Sequence, residues 1–419
     1  MRSNEKAHMT AIRLSATNRS VAPGLAAATA LLFAWPLAAN DWPQWLGPNR
    51  NGISREQSWL AQWPDGGPKQ LWKADVGIGL SSMSVSQGRL FTLGNTADSD
   101  SVSCFDANTG AVLWKHSYPC PAKDPNGYHG TRCTPTVDSD RVYSLSRHGH
   151  FFCLSADTGK VNWSKEFSKD YQGKTPTWGY AGSPLIEQDM VITEVGGPGA
   201  SVVAFNKKDG TEIWKAGDDP VGYSSIVAFD HAGQRCLAVF SAAAIVGRSA
   251  KDGKELWRVP WKTSWDVNAA TPIVLGDKVF VSSGYNRGCA LIQFGGGQPK
   301  TLWENKKMRN HVATCVAKDG YLYGFDENAL KCLELATGEE KWAENKYGKG
   351  SAFLAGDKFI VFSQTGRVAT AELSPSGCKE IAGFQVLGGK DTWTIPVLAN
   401  GKLYCRSGKD LVCLDVAAR

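Results

Sequence analysis

A tryptophan recurs four residues after the glycine of a Thr-Gly or Asp-Gly turn, again and again along the chain. Gly110 precedes Trp114, Gly159 precedes Trp163, Gly210 precedes Trp214, Gly253 precedes Trp257 and Gly338 precedes Trp342. Trp303 follows a looser turn, Gly297-Gln298-Pro299-Lys300. Successive tryptophans stand 49, 51, 43, 46 and 39 residues apart, the period of a four-stranded propeller blade at roughly 40–50 residues. A fixed period of this length means one supersecondary unit that cannot bury its apolar face alone and must stack on its neighbours.

Each unit repeats the same pattern. Thr136 to Tyr143 reads as strand, tight polar turn and strand, and so do Ile273 to Phe280, Val316 to Tyr323 and Val397 to Tyr404. Asp319-Gly320 and Asn400-Gly401 supply the positive φ that two-residue hairpins need. A third strand such as Phe151 to Ser155 follows, and the Thr-Gly turn then leads into the tryptophan-bearing fourth. No segment carries the 3.6-residue periodicity of a helix. Seven units run in order, with their third-to-fourth-strand turns near residues 110, 159, 210, 253, 297, 338 and 377. The last has three strands, and Pro68 to Lys73, with Trp72, offers the fourth. The expected fold is therefore all-β: an eight-bladed β-propeller of four-stranded antiparallel blades, its ring closed by the N-terminal strand joining the last blade, which removes the open sheet edge. Trp72, Trp114, Trp163, Trp214, Trp257, Trp303 and Trp342 are expected to dock blade on blade.

Three segments follow: 1–39 a signal peptide, 40–67 an N-terminal extension packing on the propeller, and 68–419 the propeller itself. Arg13 and Arg19 precede an uncharged Ala/Leu-rich run from Val21 to Ala39, the plan of a secretory signal with cleavage near Ala39. Pro23, Gly24 and Pro36 interrupt that run, which argues against a membrane span. No Cys follows the cleavage region to carry a lipid. The mature chain is thus expected to be exported, periplasmic or extracellular, with no membrane span, and monomeric. Hydrophobic residues at 42% and charged residues at 21% provide for a core. The formal net charge of +6 is dispersed, which excludes a nucleic-acid footprint.

The Thr-Gly-x-x-x-Trp repeats resemble the tryptophan-docking blades of the pyrroloquinoline-quinone (PQQ) repeat family. The opening Asp41-Trp42-Pro43-Gln44-Trp45-Leu46-Gly47-Pro48-Asn49-Arg50 resembles the start of its secreted, BamB-like branch. The resemblance covers the chain from about residue 41 to the end and specifies fold more than activity. It implies either a non-catalytic binding or scaffold propeller with an envelope protein or peptide as partner, or a PQQ-dependent dehydrogenase. The dehydrogenases of this family hold PQQ on a tryptophan floor beneath a disulfide of adjacent cysteines, bind Ca²⁺ through Glu and Asn, and use an Asp base. Here Asp266, Asn268 and either Trp265 or Trp393 suit parts of that set. However, the sequence has no adjacent cysteine pair and no complete acid–amide–acid set, so no cofactor is expected, PQQ with Ca²⁺ being the alternative. A carbohydrate-binding propeller is a third reading.

Cys104, Cys153 and Cys332 stand six residues before the turn glycine, and Cys413 matches them, which marks small core residues. Cys120 and Cys133 lie in one long connection, where a bridge is open. His148-Gly149-His150 reads as an exposed turn rather than a chelate, and no metal site is expected.

In such a blade the first-to-second and third-to-fourth turns share one face of the disc. The second-to-third turns and the inter-blade connections share the other. The first face is short and stereotyped; the second is long and aromatic, as functional loops on a rigid scaffold are. The expected ligand- or partner-binding residues at the channel mouth are His129 and Arg132 (in the segment from Tyr128), Trp178, Tyr180, Tyr223, Trp265, Asp266 and Asn268. Further round come Tyr285, Arg287, Asn310, His311, Tyr347, Lys349, Asp391 and Trp393. They either bind a planar or polar ligand or peptide, or plug the channel and satisfy one another. No catalytic residue is expected.

Overall fold

The computed structural model describes residues 40–123, 127–295, 297–389 and 392–418. The expected signal segment and Asp391 lie outside them. Among the described residues the strands form eight sheets, each built on four antiparallel strands, consecutive in sequence in blades 1 to 7. Blades 1 to 7 span 84–119, 136–166, 185–216, 227–260, 273–305, 316–344 and 350–385. Blade 8 takes Val397–Ala399, Lys402–Ser407 and Asp410–Asp415 from the C-terminus and Gln70–Asp75 from the other end. Trp72 pairs with Cys413 and Lys73 with Val412, so the closure expected from sequence is the one observed. Among the described residues helix is confined to Phe167–Tyr171 and one 3₁₀ turn, Ser264–Asp266. No helix among the described residues is long and apolar enough to cross a membrane.

The core lies between the blades. Phe91, Leu93 and Val102 of blade 1 pack with Val142 and Leu154 of blade 2. Tyr143 and Phe151 of blade 2 then pack with Val203 and Phe205 of blade 3. Each docking tryptophan seals such a junction. Trp72 Nε1 donates to Ala107 O at 3.2 Å, Trp114 to Ala156 O at 2.9 Å and Trp214 to Ala250 O at 3.1 Å. Trp163, Trp303 and Trp342 donate likewise to Lys207, Leu335 and Ser374 carbonyls. In every case the acceptor belongs to the next blade.

The turn glycine belongs to this same contact. A Cβ on Gly110 would lie 2.6 Å from the Trp72 ring, and one on Gly210 2.6 Å from Trp163. Gly159, Gly253 and Gly338 meet Trp114, Trp214 and Trp303 in the same way. The glycine of the repeat therefore serves the preceding blade's tryptophan as well as its own turn, where φ is +73° at Gly110. Trp257 differs: the next turn is the looser one, and the indole stacks on Phe294 at 4.8 Å and 11°. Blade 7 has Ala382 where the other fourth strands carry tryptophan. There the extension covers the junction, with Trp63 edge-on to Phe384 at 5.9 Å and Thr370 Oγ1 donating to Ala61 O at 2.6 Å.

Cys104, Cys153, Cys332 and Cys413 are buried and each pairs across the sheet with its blade's tryptophan. Cys120 and Cys133 are also buried free thiols. Burial pushes the Cys332 thiol up to about 11 and that of Cys104 up to about 12, which keeps them protonated and unreactive. His148 and His150 are half-buried rather than exposed. Ser146 Oγ and the Pro121 carbonyl hold their rings.

The extension goes further than packing on the outside. Residues 40–54 enter the central channel from the turn face and touch all eight blades. Asp41 accepts from Gln87 N at 2.9 Å and Asn400 Nδ2 at 3.2 Å, in the first turns of blades 1 and 8. Trp42 exchanges backbone bonds with Val85, and Val137 N donates to Pro43 O at 2.8 Å. Trp45 Nε1 donates to Thr271 Oγ1 at 2.9 Å, at the head of blade 5. Arg50 donates to the carbonyls of Ser183, Pro184 and Ile226, ahead of blades 3 and 4. Gly52 abuts Val316 of blade 6, and Ile53–Ser54 runs parallel to Gly350–Ala355 as a fifth strand of blade 7. Burial lowers the Arg50 pKa to about 9. Main-chain carbonyls satisfy this buried guanidinium in place of a carboxylate.

Candidate functional site

Each innermost strand starts at the loop face, so the segment just before it stands at the channel mouth. Those segments surround a cup of about 150 Å³. The plug closes it from the channel side, with the Trp45 indole in its lining. Around the wall come Leu80, Tyr128, Arg132, Trp178, Ala181, Ser183, Tyr223, Ser225, Val267, Ala269, Tyr285, His311, Val312 and Trp393. The rings form two contiguous arcs. One runs Trp265–Trp178–Tyr223, with centroids 6.3 and 5.9 Å apart. The other runs Tyr285–His311–Trp393–Tyr128, at 5.1, 5.9 and 5.0 Å. Offset and edge-to-face contacts of this kind fix ring positions by their quadrupoles.

Of the residues expected at this mouth, Arg132, Trp178, Tyr223, Tyr285, His311 and Trp393 line the cup. Trp265 stands at its rim, 67% exposed, and Lys349 reaches His311 Nδ1 with its ammonium 5.1 Å from the Trp393 ring centroid. His129 and Asp266 are exposed on the loop face.

The other expected residues lie outside the cup's lining. Tyr180 is buried, its hydroxyl donating to Val195 O at 2.8 Å. The Asn268 amide donates to Ser241 O and Trp261 O, while its oxygen accepts from Thr263 and Ser283. Asn310 binds the Phe325 carbonyl and the Cys315 thiol. Arg287 lies over Trp261, 3.6 Å from the ring centroid, and pairs with Glu304. Tyr347 is buried and contacts Cys378. Polar side chains beside an innermost strand sit among main-chain carbonyls, which recruit them into the scaffold. Trp45 was not foreseen here; its only sequence signal was the tryptophan-rich opening motif.

The cup's electrostatics follow from its dryness. Burial, and then the neighbouring Lys349 charge, lower the His311 pKa to about 4. Its imidazole is therefore neutral at ordinary pH and accepts the lysine's hydrogen bond. Burial also raises the Tyr223 and Tyr285 hydroxyls above their usual range. Trp393 Nε1 is buried without a hydrogen-bond partner among the described residues.

A quinone with Ca²⁺ does not fit these residues. The described lining contains no carboxylate, whereas Ca²⁺ takes six to eight oxygen ligands. Asn268 has its amide engaged elsewhere, and no group of three or more His, Cys, Asp or Glu residues among the described ones could hold a metal. A space for about one six-membered ring is also small for a three-ring cofactor.

The family model for PQQ-like repeats described as outer membrane protein assembly factor BamB matches residues 98–344. The structure of BamB from Moraxella catarrhalis is similar at a TM-score of 0.60 and 14% identity, over 83% of this chain and 99% of that one. Quinohemoprotein alcohol dehydrogenase from Comamonas testosteroni is similar at 0.65 and 12%, over 90% and 81%. A europium-containing methanol dehydrogenase is similar at 0.62 and 13%, over 90% and 89%. At these identities the likeness is one of fold. No curated protein matches the chain.

Proposed function

Since this chain belongs to the family of the outer membrane protein assembly factor BamB, we propose that it is an exported, non-catalytic binding propeller whose loop-face cup receives a segment of an envelope protein. One observation carries this reading: the channel is stoppered from the turn face, which leaves a one-ended aromatic cup without a carboxylate in its described lining. Such a site offers apolar contact and shape to a guest. Ten of the eleven cysteines are buried and Cys378 is half-buried, all as free thiols, and burial keeps such thiols unreactive.

Photo-cross-linking tests it. A benzoylphenylalanine in place of Tyr285, at the cup rim, is expected to trap one discrete envelope protein in living cells. The same residue in place of Asp319, on the turn face, is expected not to. Equal trapping from both positions, or none from either, would count against the reading. Dye-linked alcohol oxidation by the purified protein with PQQ and Ca²⁺ would replace it with the dehydrogenase.

A further inference from the structure

Two rim residues hold an unusual backbone conformation. Among the described residues, sixteen non-glycine positions have positive φ, and nearly all carry the small or polar side chains that tight turns favour. Only Trp265 (φ 62°) and Tyr285 (φ 52°) are aromatic. A bulky residue in the left-handed region costs about 1–2 kcal/mol, and such strain collects where a side chain must be presented in a fixed direction.

The surroundings enforce both turns. Asp266 N donates to Thr263 O at 3.1 Å and Asn268 N to Asp266 O at 2.9 Å, while Thr263 Oγ1 bonds Asn268 Oδ1 at 2.7 Å. Arg287 N donates to Gly284 O at 3.0 Å, and its guanidinium lies on Trp261. The result is one exposed aromatic at the end of each arc. Trp265 is 67% and Tyr285 39% exposed.

We propose that Trp265 and Tyr285 are the recognition jaws of the cup, and that the group they admit is a single aromatic side chain carried on the partner's segment. This rests on the binding function proposed above. An apolar cavity near 150 Å³ holds one benzene-sized ring, and each wall offers a ring face or edge to it.

The test is fluorine NMR on fluorotryptophan-labelled mature protein, titrated with N-acetyl-phenylalanine amide. Saturable shifts are expected at Trp45, Trp178, Trp265 and Trp393 but not at the docking tryptophans, and N-acetyl-leucine amide is expected to bind several-fold more weakly. Trp265→Gly is expected to weaken the phenylalanine probe about tenfold, the worth of one lost aromatic contact. It should leave Tm unlowered, because glycine adopts the left-handed turn without strain. The proposal is overturned by no saturable shift, by equal response to leucine, or by cellopentaose moving these resonances in place of the aromatic probe. A Trp265→Gly protein that melts earlier but binds unchanged would overturn it too. Should cross-linking at 285 succeed while the probe fails, the aromatic guest falls and the binding function stands. Probe binding without any cross-linked partner does the reverse.

Discussion

The two ends of the central channel use the same backbone device for opposite ends. At the turn face, left-handed positions fall to the hairpin residues Gln87, Asp319 and Asn400 and, within the segment that fills the channel, to Leu46 and Arg50, whose buried guanidinium is satisfied by the Ser183, Pro184 and Ile226 carbonyls and the Gln44 side chain. At the loop face the same conformation is imposed on Trp265 and Tyr285, and the space between them is left open. One end is optimised for closure. The other gives the left-handed conformation to exposed aromatic side chains, beside an indole N–H without a partner among the described residues. That contrast locates function more firmly than the aromatic composition of the loops, because stability alone would have removed it.

The largest expected effect falls on the closed end. Arg50→Ala leaves the Ser183, Pro184 and Ile226 carbonyls without their donor and opens a void beneath the cup. A loss of roughly 3 kcal/mol is expected in denaturant melts, and an unchanged midpoint would show that the plug is ornamental. At the open end, Glu194 is buried near the loop-face segment at Gly222, and burial raises its pKa to about 8. The folded state keeps a proton that the unfolded chain releases near pH 4.5, so stability falls as pH rises from about 4.5 to 8. Glu194→Gln should flatten that decline and gain up to about 3 kcal/mol at neutral pH, read from melts at pH 5 and pH 8.

His311 runs the other way. Its pKa is depressed to about 4, so the unfolded chain takes up the proton first and stability is lost as pH falls from about 6.5 toward 4. The effect is bounded by about 3 kcal/mol, and His311→Asn should remove it. The smallest effect on stability is expected at the cup wall. Trp178→Ala should shift the midpoint by less than about 1 kcal/mol while abolishing saturable probe binding. A large destabilisation there would erase the distinction between the two ends.

The ring was legible because its information is periodic. Turn, glycine and tryptophan recur at one phase, and the unpaired Trp72 near the start announces the closure. Six of the cup residues were legible for a related reason: they immediately precede innermost strands that could be placed by counting. The plug was not. Asp41 to Arg50 has no period, and its partners are main-chain groups and a few side chains on blades remote in sequence. Asn268, Asn310 and Tyr180 lie outside the cup's lining for the opposite cause. Their side chains look functional in a list but are satisfied by the backbone around them. The strain at Trp265 and Tyr285 leaves no mark in composition at all, since nothing in those residue types asks for a left-handed turn.

The seating of five indoles, those of Trp72, Trp114, Trp163, Trp214 and Trp303, on a glycine of the following blade gives the ring a direction. A sector with both features supplies a key to one side and a lock to the other, so such a unit cut out and grafted elsewhere would carry its key away and strand the matching lock. Duplication or loss of a sector is accordingly tolerable only in register with both neighbours. A change at one glycine is felt first in the sector that comes before it.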